Sequence, residues 1–189
     1  MYEIIIQDLQ RNSYVTETSC QKGEIIMEWI ANTQMKQLLN RLGDYESTEK
    51  LKLNMKHLND LFCPPFKKVK DCILISKHSV EELEKSFNSA IEVYTDKTGY
   101  EFSVSEVRIS DYFKNKISME TGTKIALLVI KMWILQLKEL DPNATFCLIM
   151  SSDEDRVEIR FHKLREEEPK ILADDIDSYK DGAIGYVCI

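Results

Sequence analysis

Glycine and proline are both scarce, with six and four residues respectively in a chain of 189. There is no Gly-x-x-x-x-Gly-Lys phosphate loop and no Gly-x-Gly-x-x-Gly turn, which excludes the usual backbone cradles for nucleotides. Gly182 and Gly185 precede a final apolar run with a spacing that reads as a loop turn. Such low glycine and proline content also argues against a long flexible linker. No Cys-x-x-Cys pair occurs among Cys20, Cys63, Cys72, Cys147 and Cys188. The set is odd, and Cys72, Cys147 and Cys188 sit inside apolar runs. That pattern suits small buried hydrophobes in a reducing cytoplasm better than a disulfide framework.

Histidine is sparse too. His57, His78 and His162 form neither a His-x-x-x-His nor a His-x-Glu arrangement, and no Gly-x-Ser-x-Gly elbow exists. His57 with Cys63, and Cys72 with His78, are spaced more widely than structural zinc sites use. No metal, no cofactor and no catalytic residue is therefore expected. His78 reads as a turn residue and His162 as an exposed strand residue. The most apolar window, residues 125–137, is short and includes Lys131, whereas a membrane span needs about 20 residues. The opening Met-Tyr-Glu-Ile-Ile-Ile-Gln-Asp lacks the basic flank and long apolar region of a signal peptide. A cytoplasmic protein without membrane contact is the expectation.

Positive charge is in deficit: 25 Lys and Arg against 32 Asp and Glu leave a net charge of −7. Such a balance repels phosphate backbones, so nucleic acid is not an expected partner. Phe66-Lys67-Lys68-Val69-Lys70 is too short for a nucleic-acid groove and reads as a solvated connection.

What is present is enough for a proper core, with 43% hydrophobic and 30% charged residues. The length fits one domain, 1–189. Tyr2–Ile6 reads as a strand. Apolar residues at helical spacing predict a helix over 24–42 stopped by Gly43. A second helix, capped by Ser47 or Thr48, runs to Phe62 and ends at Pro64-Pro65. Residues 71–76 read as a strand buried on both faces. Ser79 and Glu82 form a capping box for a helix closed by Gly99. Phe102–Ile109 alternates like a strand. Residues 123–140 form a helix whose polar stripe is one lysine wide, so Met132 and Leu135 are expected to be covered along with Trp133. Thr145–Met150 and the alternating Val157, Ile159 and Phe161 form a hairpin, and Ala183–Ile189 a last strand. Together these predict an α+β two-layer sandwich. Its mainly antiparallel sheet is covered by the long buried helix 123–140, with an N-terminal helical pair (24–62) beside an α/β core (71–189).

One feature is strongly asymmetric. Residues 151–181 carry 11 acidic and 6 basic side chains. The acids bunch as Asp153-Glu154-Asp155, Glu166-Glu167-Glu168 and Asp174-Asp175-x-Asp177. Asp174-x-x-Asp177 lacks the Asp-x-Asp-x-Asp-Gly context of a calcium loop. A solvated acidic surface or a protein-binding surface fits better. The C-terminal stretch Asp174-Asp175-Ile-Asp177-Ser-Tyr179-Lys-Asp181-Gly-Ala-Ile-Gly185-Tyr186-Val-Cys-Ile189, in an acidic α+β chain, resembles the small immunity proteins of bacterial polymorphic-toxin and contact-dependent-inhibition systems. That resemblance implies a non-enzymatic inhibitor that binds a cognate toxin domain, often a basic nuclease. On this reading the partner-binding residues are Asp153, Asp155, Glu166, Glu167, Glu168, Asp174, Asp175, Asp177 and Tyr179, with Tyr186 a further aromatic candidate. Two rivals stay open: an enzyme built from His162, Glu158, Asp153 and Arg160, and an adaptor using an apolar patch on the N-terminal helices.

Overall fold

A computed structural model describes residues 28–47, 50–52, 55–153 and 156–189. The expected strand at Tyr2–Ile6, Cys20, the Thr48 cap and Asp155 lie outside the described residues.

The chain enters through a two-residue strand, β1 (Ile30–Ala31), and then helix α1 (Thr33–Asp44). Asn32 sets the boundary: its backbone is extended and its Oδ1 accepts the Met35 N–H at 2.9 Å. This cap starts the helix later than apolar spacing predicted, so Trp29 and Ile30 precede it. Helix α2 (Met55–Phe62) ends before Pro64-Pro65, as proline requires. Two of its orphan carbonyls are taken by the long helix α5 (Met119–Leu140). Trp133 Nε1 donates to Leu61 O at 2.9 Å, and Gln136 Nε2 to Phe62 O at 2.8 Å.

A five-stranded antiparallel sheet runs in the order β1-β7-β5-β6-β4. Its centre is the expected hairpin, β5 (Phe146–Asp153) with β6 (Arg156–Lys163), in register from Phe146↔Lys163 to Asp153↔Arg156. β7 (Ala183–Cys188) pairs with the other side of β5, and Val107–Arg108 forms the short edge β4. Phe146, Leu148, Met150, Ile159, Phe161 and Val187 pack with Ala126, Val129, Ile130, Trp133 and Leu137 of α5 into the main core. Phe66, Trp133 and Phe161 meet edge to face, with centroids 5.5–6.0 Å apart. The α+β sandwich follows from this packing. α5 begins at Met119, four residues before the sequence pattern, because Ser118 Oγ caps Thr121 N. Its outer stripe is less covered than expected: Met132 is 39% and Leu135 54% exposed, since the sheet lies on one side only.

A second apolar cluster sits beside this sandwich. The hairpin β2 (Phe66–Val69) and β3 (Cys72–Ile75) packs with α3 (Val80–Tyr94) and α4 (Lys97–Val104) around Val69, Leu74, Leu83, Phe87 and Tyr100. The basic stretch 66–70 is thus mainly a strand rather than a solvated connection, and its turn holds Lys70 at φ 52°. The capping box at α3 is complete: Glu82 N reaches Ser79 Oγ and Ser79 N reaches Glu82 Oε2. The helix stops at Tyr94, before Gly99. Thr95 takes φ 75°, and Asp96 caps a new helix through Gly99 N at 2.6 Å. Phe102–Val104, read as strand, is therefore helical.

Candidate functional site

Glu101 of α4 and Ser105, which caps that helix's C-terminus, lie four apart on one face, against the edge of β6 that β4 leaves unpaired. Ser105 Oγ accepts the Phe161 N–H at 2.9 Å and donates to Phe161 O at 2.8 Å. Glu101, fully buried, accepts Lys163 N on one oxygen and Ile73 N on the other, both at 2.8 Å. Two side chains thus substitute for a strand, joining the main sheet to the β2–β3 hairpin. A buried carboxylate needs a counter-charge. Arg165 supplies it through Nη1 at 2.8 Å and Nη2 at 3.2 Å. The same guanidinium donates to the Asp71 carboxylate at 3.2 Å and to its backbone carbonyl at 2.8 Å. Lys163 bridges Asp71 at 2.6 Å and Asp141 at 3.2 Å, and Lys68 joins Asp141 at 3.2 Å. Burial pushes the Asp71 carboxyl up, but the bonds and charges of Lys163 and Arg165 outweigh it and hold the group at about 2. Of these residues the sequence marked only Lys68, as part of a basic stretch.

The opposite end of β6 lies at the surface. Asp153 accepts the Arg156 backbone N–H at 3.1 Å and its guanidinium at 3.0 Å. Facing it is the segment before β7, held rigidly by Asn32. That buried amide donates to Tyr179 O at 3.2 Å and Gly182 O at 2.9 Å, while its oxygen accepts Ile184 N at 3.1 Å. Gly182 passes so close that a Cβ there would stand 2.9 Å from Ser152 O. Gly185 lies inside β7, where it lets β1 and Met35 approach. Between the hairpin end and this segment is a recess of about 430 Å³, with Asp153, Arg156, Glu158, Tyr179, Lys180 and Asp181 in its lining. Ser152 also lines it, and its Oγ is buried without a hydrogen-bond partner.

The acidic bunches do not converge. Asp153 and Tyr179 share the recess, whereas Glu166, Glu167 and Glu168 follow the other end of β6, about 25 Å away at ~3.3 Å per residue. Most of the carboxylates already have internal work. Glu168 accepts Thr98 N at the start of α4 at 2.8 Å, Asp177 accepts Thr33 N of α1 at 2.7 Å, and Asp175 accepts Asp177 N at 3.1 Å. Asp174 meets Lys170 at 2.5 Å. The bond from Thr33 lowers the Asp177 carboxyl, as the helix terminus should. Glu166 and Glu167 are exposed on a turn. Tyr179 accepts Ala173 N through its hydroxyl at 3.1 Å.

His162 departs from expectation. It is 3% exposed, its ring lies edge-on to Phe102 and its Nδ1 is 3.2 Å from Lys163 O. Burial lowers its pKa, favouring the neutral ring. It stands near the far end of β6 from Asp153, while Arg160 pairs with Glu106 and Glu158 and lies over Phe102. Those four residues therefore do not meet as one acid–base centre. Among the described residues, no group of three or more His, Cys, Asp or Glu side chains could hold a metal ion. No described helix is long and apolar enough to cross a membrane.

A family model for the uncharacterized protein PM0498 family matches residues 30–188. The chain belongs to that family. The match runs from β1 to the end of β7, so the recess, the charge network and both apolar clusters lie within it. No curated protein and no solved structure matches the chain.

Proposed function

We propose that the chain is a non-enzymatic cytoplasmic inhibitor, an immunity protein that binds a basic toxin domain at the hairpin-end recess. The observation that carries this reading is the recess itself. It gathers Asp153, Glu158 and Asp181 against Arg156 and Lys180, with Tyr179 on the rim. A partner's arginine or lysine would enter beside the Asp181 carboxylate, which offers about four acceptor positions, on the wall that also carries Glu158. Tyr179 supplies an apolar ring with a polar tip, the kind of side chain that anchors interfaces. The overall charge of −7 speeds encounter with a cationic surface. Glu166 and Glu167, at the other end, fall outside this binding face.

The test is capture from the native host's lysate by the wild type and by the double variant Asp153→Lys/Asp181→Lys, each at low and high salt. The reading expects a basic protein held by the wild type, released as salt rises, and lost from the variant. Equal capture by both chains, or no basic protein on either, contradicts it.

A further inference from the structure

Cys147 of β5 and Cys188 of β7 are direct cross-strand partners. Their neighbours Phe146 and Ile189 exchange both backbone hydrogen bonds, each at 3.0 Å. The next pair along an antiparallel ladder is then the non-hydrogen-bonded one, whose Cα atoms stand about 4.5 Å apart. That separation lies within the range of about 4.4–6.8 Å that a disulfide spans. Opposed residues also share a face, so both thiols point away from α5, on the side of Ile149 and Tyr186. Both are free thiols, yet their surroundings differ: Cys147 is buried and Cys188 exposed. His162 of β6 is the cross-strand partner of Cys147 on its other side, and Tyr186 precedes Cys188 by two residues on the same face.

We propose that Cys147 and Cys188 form a peroxide-reactive dithiol, with Cys188 the attacking thiol and Cys147 the resolving one. This goes beyond the binding role and does not depend on it. In the first step the Cys188 thiolate attacks one oxygen of hydrogen peroxide. The O–O bond breaks, the sulfur becomes a sulfenic acid, and the departing hydroxide is protonated to water. In the second, Cys147 Sγ attacks Cys188 Sγ. The S–O bond breaks, the hydroxide leaves with the Cys147 proton as water, and a disulfide joins β5 to β7. A reducing dithiol reverses it by exchange.

The asymmetry of the pair suits these roles. The Cys147 thiol shares its proton with Cys188, which lowers Cys188 to about 7 from an ordinary 9.0. The same bond, with burial, raises Cys147, which keeps its proton until the sulfenic acid needs it. At pH 7 the Cys188 thiolate fraction is about half, against roughly one per cent for an unperturbed thiol. Lower intrinsic nucleophilicity takes back about eightfold, leaving a net gain of about sixfold. Cys72 is an internal control, buried and pushed up to about 12.

The experiment treats the full-length chain with a slight excess of hydrogen peroxide, blocks remaining thiols, and maps the unreduced digest by mass spectrometry. The proposal expects peptides containing Cys147 and Cys188 to be linked, with the loss of two hydrogens, and separated again by dithiothreitol. In Cys147→Ala the sulfenic acid on Cys188 persists and is trapped by dimedone. Alkylation of Cys188 by iodoacetamide at pH 7 then slows by about sixfold, as its midpoint moves from about 7 toward 9. If Cys147→Ala does not fold, the wild type decides alone: iodoacetamide at pH 7 must label Cys188 ahead of the exposed Cys63. Disulfides between chains in place of this link, or oxidation of Cys63 as fast as Cys188, would overturn the proposal.

Discussion

The two ends of β6 carry the same residue types and put them to opposite uses. At one end Lys163 and Arg165, with side chains 17% and 10% exposed, lie in a lattice built on the buried Glu101, with Asp141 and the partly exposed Asp71 at its edge. At the other, Arg156 and Asp153 close a hairpin at the surface, with side chains 52% and 43% exposed. An exposed ion pair contributes about 0–1 kcal/mol, whereas breaking a buried one costs several. Charge alone therefore says little about role. The burial of Glu101 and Arg165, with side chains 0% and 10% exposed, and not charge itself, makes that end part of the frame.

The largest expected effect comes from Glu101→Leu. It leaves Arg165 short of its main counter-charge and strips acceptors from Ile73 N and Lys163 N. Urea unfolding should show a loss of about 3–5 kcal/mol. A loss near zero would mean the network does not join the two clusters. Asp71→Asn is smaller, because Asp71 is nearly half exposed and solvent screens its ion pairs; about 1 kcal/mol at pH 7 is expected. Its folded pKa, about 2, lies below the ordinary 3.8. A depressed carboxyl stabilises the fold above the unfolded value and loses that contribution as pH falls through the folded one. The gap between wild type and Asp71→Asn should therefore close from about pH 4 to pH 2, as read by acid unfolding. Smallest is Asp153→Lys/Asp181→Lys, which should shift stability by no more than about 0.5 kcal/mol while abolishing capture of a basic partner.

The contrast also explains what was legible in the sequence. Local chemistry announced itself: the Ser79–Glu82 box and the Pro64-Pro65 stop are specified by residues within a few positions of one another, and the 146–163 hairpin by two apolar runs contiguous along the chain. The α+β architecture followed from these and from the apolar helix α5. The buried network did not, because Arg165 reaches Glu101 across 64 positions and Asp71 across 94. Nothing in the neighbourhood of Asp71 distinguishes it from a solvated acid. α4 was misread because Phe102, Val104, Val107 and Ile109 alternate like a strand, while the Asp96 cap and the bonds of Glu101 and Ser105 favour a helix. A cap at Asp96 was the available signal. The acidic bunches were visible as composition, but their division between helix caps, ion pairs and recess depends on the fold. Cys147 and Cys188 read as separate small hydrophobes because their pairing requires the register of β5 with β7.

One pair of substitutions tests the difference between the two ends most directly: Arg165→Met and Arg156→Met, compared by urea unfolding at neutral pH. The replacements are chemically identical and stand at opposite ends of the same strand, Arg156 as its first residue and Arg165 two beyond its last. The account predicts a loss of about 3 kcal/mol or more for Arg165→Met, where Glu101 is left buried without its guanidinium. It predicts an unchanged urea midpoint for Arg156→Met. Equal shifts for both variants, or the larger one for Arg156→Met, would contradict it.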